Sequence, residues 1–108
     1  MDYISPNAII AKLGSILREP IPDNLTEHIK DIESHLFELV EAKVETHRYL
    51  QEKRHQMLYP KDKDLTELDR NTRLSASVAV IQKDYDFVCE VHSLALRRLD
   101  ICVLLLTD

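Results

Sequence analysis

The chain is 108 residues long, carries a formal net charge of −5, and contains 44% hydrophobic and 31% charged residues. This length is enough for one domain with one core, and the hydrophobic content excludes a disordered polar chain. The acidic total argues against a protein that binds polyanions over its whole surface.

The scarcity of turn-forming residues predicts a helical fold with few connections. Gly14 is the only glycine, there are four prolines, and aromatic residues make up 6% of the chain. A sheet protein needs several tight turns, and those turns depend on glycine and asparagine. We therefore expect an all-α fold in which residues 1–108 form a single helical domain.

The sequence predicts neither a membrane segment nor a disulfide. The longest apolar run, ICVLLL at residues 101–106, is far shorter than the ~18 residues of a spanning helix. The first residues, MDYISPNAII, lack the basic region that opens a secretory signal. Cys89 and Cys102 fall in one expected helix, where they cannot bridge each other, so we expect reduced thiols in a cytoplasmic protein with no membrane partner.

The first expected helix is short and spans residues 5–18. Ser5 is placed to cap it, and Pro6 suits the first helical position. Pro20 and Pro22 end it, because each holds the residue before it in an extended conformation. Its apolar positions form one stripe: Ile9, Ile10, Leu13, Ile16 and Leu17.

The second expected helix is long and spans residues 24–59. Asn24 can cap it, Glu27 stands where a capping box requires an acidic residue, and Pro60 ends it. Its apolar seam repeats at spacings of three and four and consists of Ile29, Ile32, Leu36, Leu39, Leu50 and Met57, with Lys43, Thr46 and Lys53 at intermediate positions. A second apolar row lies beside that seam: Phe37, Val40 and Val44.

The third expected helix spans residues 65–106, with Asp64 or Thr66 as its cap. Its seam follows alternating spacings of four and three, a heptad pattern sustained over four repeats. The seam positions are Leu74, Val78, Ile81, Tyr85, Val88, His92, Ala95, Leu99 and Cys102. A second apolar row follows another flank: Val80, Phe87, Val91, Leu94 and Ile101.

Two long helices joined by a short connection are antiparallel neighbours, so we expect an elongated helical hairpin with a short N-terminal helix. The third helix has more apolar surface than the second can cover, which predicts a homo-oligomer that associates through the third helix. The expected interface consists of its second apolar row, Val80, Phe87, Val91, Leu94 and Ile101. In a rival arrangement the chain is a monomer whose first helix folds over the hairpin.

Five histidines raise the question of a metal site. Glu52 and His55 have the Glu-x-x-His spacing of carboxylate-bridged di-iron helices, but that site needs a second such motif and two further glutamates. His28 and His35 have ordinary surface spacing, and His92 is expected to pack within the seam of the third helix. We expect no metal and no other cofactor.

An enzymatic interpretation rests on Glu38 and Glu41. Their Glu-x-x-Glu spacing matches half of the pattern by which all-α nucleotide pyrophosphohydrolases hold Mg²⁺, and that chemistry needs both halves. The downstream half is missing, since DLTE at residues 64–67 is reversed and falls at the expected loop. We expect a protein that is not an enzyme.

The basic residues concentrate where the two long helices meet. Residues 43–73 carry eight basic and six acidic side chains, net +2, whereas residues 1–42 are net −5 and residues 74–108 net −2. Folding back at Pro60 would gather cations and tyrosines at one end of the rod, a mixture that holds single-stranded nucleic acid. The candidate nucleic-acid-binding residues are Arg48, Lys53, Arg54, Tyr59, Lys61, Lys63, Arg70 and Arg73, with Tyr49 as a further stacking candidate. The alternative is a solvated turn whose charges cancel.

The order of elements also resembles a known family. A long charged helix ending in basic residues and tyrosine, a polar loop, and the segment LTELDRNTRLSASVAVIQKDYDFVCEVHSLALRRLDI resemble phage recombination mediator proteins of the UvsY type over roughly residues 35–101. The resemblance implies a ring-like helical homo-oligomer that binds single-stranded DNA. It also implies that the protein helps to load a RecA-like recombinase while displacing a single-strand binding protein. In that family a basic pair just before the aromatic end of the helix contacts DNA, and the matching positions are Lys53 and Arg54.

The function expected from these observations is that of a non-enzymatic recombination accessory protein, working in the host cytoplasm if it is phage-encoded. The alternative is a small acidic helical module that binds another protein, such as a phage-encoded regulator or inhibitor of a host protein.

Overall fold

The computed structural model describes residues 3–58 and 67–107, with the side chains of residues 3–57 and 72–107. These residues form three helices, α1 (Asn7–Arg18), α2 (Leu25–Leu58) and α3 (Glu67–Thr107), and the described part of the chain contains no strand. The molecule is a rod with extents of 64 × 19 × 18 Å. The predicted all-α fold, with one short and two long helices, is confirmed.

The helix caps agree with the sequence at α2 and differ from it at α1. The Asn24 side-chain oxygen accepts a hydrogen bond from the Glu27 backbone N–H at 3.2 Å, as the capping box predicts. At α1 the cap residue is Pro6, without a side-chain hydrogen bond, so the prediction that Ser5 caps this helix is wrong. The Ser5 hydroxyl instead donates to the Asp84 carboxylate of α3 at 3.0 Å. The predicted caps of α3, Asp64 and Thr66, lie outside the described residues.

Helices α2 and α3 pack side by side in opposite directions. Arg98 donates to His28 near the start of α2, Lys43 contacts His92 near its middle, and Arg54 donates to Gln82 near its end. Residues further along α2 therefore contact residues that come earlier in α3. This is the antiparallel arrangement expected of a helical hairpin.

The predicted seam of α3 is the face that packs inside the molecule. Ile81, Val88, Ala95 and Cys102 are fully or almost fully buried, and the other five seam positions are half-buried. The facing stripe of α2 contains a polar residue, Thr46, which is 2% exposed. Its hydroxyl donates to the Ala42 carbonyl at 2.7 Å, one helical turn earlier, so the buried oxygen has a partner.

Helix α1 lies over the hairpin, as the rival arrangement proposed. Ile9 and Leu13 belong to one core cluster with residues of both long helices: Ile32, Leu39, Val88, Val91 and Ala95. Val91 is only 8% exposed, so the prediction that Val91 has no cover within the chain is wrong. At 1.5 Å per residue, α1 is about 18 Å long and α3 about 60 Å long, so α1 covers only part of the hairpin.

Polar contacts fix both ends of α1. The Tyr3 hydroxyl donates to Asp84 at 2.5 Å, and burial, followed by this hydrogen bond, raises the pKa of the tyrosine. At the other end Arg98 donates to the backbone carbonyls of Leu17 and Glu19, at 2.8 and 3.0 Å. Those carbonyls lie at the helix terminus, where the helix itself supplies no partner. Because Asp84 precedes Arg98 along α3, α1 runs parallel to α3.

Two histidines lie against cations in the helix packing. His28 is 8% exposed, so its predicted surface position is wrong, and its Nε2 accepts a hydrogen bond from Arg98 at 3.2 Å. His92 packs in the seam as predicted, with its Nδ1 3.4 Å from the Lys43 ammonium group. Burial, followed by the positive charge of Lys43, lowers the pKa of His92. The lowered pKa of His92 favours its neutral imidazole.

Of the helices that the structure describes, none combines the length and the apolar composition needed to cross a bilayer.

Replacing Leu13 with alanine should destabilise the protein by about 2–5 kcal/mol, because it removes a fully buried side chain from the centre of the α1 contact. Urea unfolding followed by circular dichroism measures this change. The control is Lys12→Ala on the exposed side of α1, expected to change stability by less than about 0.5 kcal/mol. Equal stability of the two variants would show that α1 is not docked.

Stability should fall as the pH drops below about 6.5, the ordinary histidine pKa. The unfolded chain binds the proton at higher pH than the folded chain does, because the folded-state pKa of His92 is lowered. His92→Gln removes this contribution, so its urea midpoint should fall less than that of the wild type between pH 7.5 and 5.5. The difference should be well below the ~1.4 kcal/mol of one pKa unit, since the site is partly solvated. Identical pH profiles would contradict the role of His92.

Candidate nucleic-acid and self-assembly surfaces

Four of the predicted basic residues are described by the structure, and they lie at the end of the rod where α2 ends and α3 begins. Arg48, Lys53 and Arg54 lie on the last turns of α2, and Arg73 is exposed on the first turns of α3. The other predicted members of the site lie outside the described residues or, for Arg70, outside the described side chains. They are Tyr59, Lys61, Lys63 and Arg70. The described part of this surface, which we call the tip, therefore contains four cations.

Arg48 is held by carboxylates of its own helix. Its guanidinium donates to Glu45 at 2.8 Å and to Glu52 at 3.2 Å. The hydrogen bond to Glu45 also raises the pKa of Arg48. A cation paired with two acidic groups has little positive charge left for a phosphate, so Arg48 is a weak member of the predicted site.

Lys53 and Arg54 take different positions at the tip. Lys53 is half-buried and lines an open crevice of about 570 Å³ between α2, α3 and the N-terminal segment. Arg54 is exposed and reaches across to α3, where it donates to Gln82 at 2.8 Å. The remaining walls of the crevice come from Tyr3, Tyr49, Glu52, Gln56, Ala76, Ser77, Val80 and Ile81.

Tyr49 is not available for stacking with a nucleobase. It is 8% exposed, it forms a T-shaped pair with the Tyr3 ring at 5.3 Å between ring centres, and Arg48 lies 5.0 Å from its ring centre. The proposal that Tyr49 supplies a stacking face is therefore wrong, because the N-terminal segment covers it. Tyr59, the other predicted stacking residue, lies outside the described residues.

An exposed apolar row runs along α3 on the flank next to α1. Its members are spaced seven residues apart, so they lie nearly in line along the helix. Val80 is 58% exposed, Phe87 45%, Leu94 42% and Ile101 41%. We call these four residues the α3 row. Four of the five predicted interface residues thus lie on one surface, and Val91 alone is buried beneath α1.

A second exposed apolar row lies on α2. Phe37 is 69% exposed, Val44 63% and Val40 41%, and we call these three residues the α2 row. The sequence identified the row through its spacing but did not assign it a role. Its spacing of three and four was the available signal, because a row at helical spacing beside the seam must face either a partner or solvent.

The last turns of α3 expose a further set of apolar side chains. His28 lies beside Arg98, so α2 begins at Leu25 close to the level of Ile101, and the next turn of α3 extends past it. The side chains on that turn are about half to two-thirds exposed: Val103, Leu104, Leu105 and Leu106.

Both cysteines are free and lie on α3. Cys102 is buried in the seam, and Cys89 is half-buried beside Tyr85. The hydrogen bond with Cys89 raises the pKa of Tyr85, whose ring also lies 5.6 Å from the His47 ring of α2. The contact between the His47 and Tyr85 rings joins α2 to α3.

The residues considered for a metal site or an enzyme lie on α2, and one of them, Glu52, also lines the tip crevice. Glu38 and Glu41 are exposed on α2, as are Glu52 and His55 nearer the tip. Within residues 3–58 and 67–107, no group of three or more histidine, cysteine, aspartate or glutamate side chains is arranged to hold a metal ion. That the protein is not an enzyme stays a prediction.

Comparisons with protein-family models, with curated proteins and with solved structures found no match to this chain. The resemblance to recombination mediators stays a prediction, and the function has to be argued from the geometry of the chain.

Proposed function

We propose that the chain is a non-enzymatic, self-assembling protein that presents its basic tips to single-stranded DNA as a recombination accessory factor. The observation that carries the proposal is the α3 row, which leaves four large apolar side chains 41–58% exposed along one line of the rod. Self-association is the first step, because DNA binding at a weakly basic tip depends on repetition of that tip.

The argument for self-association is the free energy of apolar surface in water. Burying such surface contributes about 25 cal/mol per Å², and a soluble monomer rarely exposes one continuous apolar patch larger than a few hundred Å². Scattered apolar side chains are normal, but the α3 row is ordered at the heptad spacing that packs helices together. A second copy of the chain offers a helical surface of the same kind.

The argument for single-stranded DNA is the placement of charge and its multiplication by assembly. Lys53, Arg54 and Arg73 stand at one end of an otherwise acidic rod. One tip has too little net charge for stable binding, but several tips in one assembly act at a high effective concentration. Single strands suit such a surface, because a flexible backbone can follow cations from tip to tip.

The resemblance to recombination mediators supplies the biological setting of the proposal. It implies a RecA-like recombinase and a single-strand binding protein as partners. A protein that acts on the DNA of such a system works in the cytoplasm of the host cell.

The α2 row favours a second candidate function. It combines the most exposed aromatic side chain of the described residues, Phe37, with the acidic first part of the chain, which is net −5 over residues 1–42. Such a surface suits an apolar groove with basic edges on another protein. In this case the chain is a regulator of that protein and does not bind DNA.

Replacing Phe87 with aspartate should dissociate the assembly without unfolding the chain. The side chain is exposed in the single chain, so the new carboxylate stays hydrated in the monomer and is desolvated only in the assembly. Light scattering at tens of micromolar measures the mass, and circular dichroism checks the helices. We expect a wild-type oligomer and a folded monomeric variant.

Val91→Asp is the matched comparison, because Val91 lies one turn from Phe87 but is buried under α1. It should destabilise the chain itself by several kcal/mol, since the carboxylate is buried without a partner. A wild type that is monomeric under these conditions would contradict self-association.

Binding of an oligothymidylate should be salt-sensitive and should depend on the tip. Each phosphate neutralised releases counterions, so the plot of log affinity against log salt should have a slope of about −0.7 per contact. Lys53→Ala combined with Arg54→Ala should weaken binding and make this slope shallower, while leaving the oligomeric mass unchanged. Fluorescence anisotropy across a salt series provides the measurement.

Lys12→Ala combined with Lys30→Ala is the control, because it removes the same charge from exposed positions in the acidic part of the chain. It should change binding far less than the tip variant does. If the wild-type oligomer binds no oligonucleotide at low salt, the tip is a solvated turn and the protein-regulator function is favoured.

A further inference from the structure

The crevice of about 570 Å³ near the tip lies between one face of α2 and one face of α3. The residues of each wall recur at helical spacings, so each wall is continuous, and Tyr3 of the N-terminal segment also lines the crevice. The volume falls within the ~300–1,000 Å³ of clefts that hold small ligands. The crevice is therefore large enough for one nucleobase with its sugar.

The lining of the crevice combines apolar surface with a few polar groups. Tyr49 and Ile81 are 8% and 2% exposed and form its floor, and Val80 adds exposed apolar surface. The Gln56 amide and the Ser77 hydroxyl can each donate and accept hydrogen bonds. Such a lining suits a flat ring with a polar edge, because the ring covers the apolar side chains while its edge meets the polar ones.

Lys53 gives the crevice a positive charge that no other side chain neutralises. It is half-buried, and within the described residues it makes no hydrogen bond or ion pair. Its acidic neighbour Glu52 accepts a hydrogen bond from Arg48 at 3.2 Å and is already paired. A partly buried ammonium group without a partner favours an anion. The complementary ligand is therefore an aromatic ring attached to a negative group.

We propose that the crevice receives one base of the bound single strand, with Lys53 holding the adjoining phosphate. This inference rests on the proposed function and adds a base-binding site to the tip. It gives a physical reason for a preference for single strands, because the bases of a duplex are paired and stacked and cannot enter a crevice at its side. Gln56 and Ser77 can bond to the edge of any base, so we expect little sequence preference.

A base in the crevice is compatible with self-assembly through the α3 row. Val80 belongs to both surfaces, but Phe87 stands seven residues further along α3, about 10 Å away along the helix axis. A protein contact centred on Phe87 and Leu94 therefore lies at a different level of the rod from the crevice.

Comparison of oligothymidylate with an abasic strand of the same length tests the base site. Both strands carry the same phosphates, but only the first has bases. At low salt the wild type should bind oligothymidylate at least about fivefold more tightly, the lower end of what one stacked base contributes. Ala76→Leu combined with Ser77→Leu should remove this difference, because the larger side chains fill the crevice and leave every cation in place. Fluorescence anisotropy gives the affinities.

Ser75→Leu combined with Ala79→Leu is the matched control for the filled variant. It makes the same two exchanges at exposed positions of α3 that do not line the crevice. This variant should keep the preference for oligothymidylate. Circular dichroism checks that both variants retain their helices.

Photocrosslinking of the wild type gives a second readout that needs no variant. An oligonucleotide with 5-iododeoxyuridine in place of thymidine crosslinks to aromatic side chains close to the base, and mass spectrometry identifies the attached peptide. We expect a crosslink on Tyr3, which lines the crevice but is remote in sequence from the tip cations. Crosslinks confined to peptides that do not line the crevice would contradict the proposal.

The possible results separate the base site from the proposed function itself. If the wild type binds neither strand, DNA binding is wrong and the base site is wrong with it. If the wild type binds both strands equally, the tip holds phosphates alone, and only the base site is wrong. If the filled variant keeps the preference for oligothymidylate, the bases bind elsewhere, and the base site is again wrong. If thymidine monophosphate displaces the oligonucleotide at equal nucleotide concentration, the crevice binds free nucleotides, which also overturns the proposal.

Discussion

The packing of α2 against α3 buries one stripe of each helix. The docking of α1 and the exposed apolar rows both follow from the apolar surface that this packing does not bury. The seam of α3 faces α2, while the α3 row lies on a neighbouring flank. Helix α1 covers the surface between them, but its 12 residues reach only part of the way along a partner of 41 residues. Val91 is therefore buried, while Phe87, one turn away, remains exposed.

The sequence predicted those features that depend on spacing within one helix. The heptad seam of α3 and the Asn24 cap required no knowledge of the tertiary fold, because each is set by residues within one or two turns. The errors at Ser5, His28 and Val91 have a different origin. All three residues take their surroundings from α1 or from the side chains that anchor it, and no local pattern specifies where a short helix docks on a long pair. The anchors themselves, Asp84 and Arg98, look like ordinary surface charges in sequence.

The candidate site was predictable to a smaller extent. Counting charge located the basic part of the chain, but the count treats every cation alike. Glu45 and Glu52 stand three and four residues from Arg48, a spacing that predicts their contact on a helix, so the weakness of Arg48 as a phosphate ligand was present in the sequence. The burial of Tyr49 could not be predicted from the sequence, because it depends on the packing of Tyr3, in the N-terminal segment, against the Tyr49 ring. Whether a surface cation is paired depends on side chains within one helical turn, whereas the exposure of an aromatic face depends on segments that are distant in the sequence.

The shape of the rod links the apolar rows to the tip. If copies pack side by side, neighbouring tips stand about one rod width apart, and the rod is 18–19 Å across. In a duplex each strand has a phosphate every ~3.4 Å along the axis, and an unpaired strand can extend further, so a few nucleotides span this distance. An oligonucleotide much shorter than that would reach only one tip, whose cations are few and partly paired with side chains of the protein itself. A longer strand would reach several tips, and its affinity would rise with length through effective concentration, with no new kind of contact. In the assembly that we propose, the apolar rows would set the spacing of the cations, and assembly would be the physical basis of DNA binding by an acidic chain.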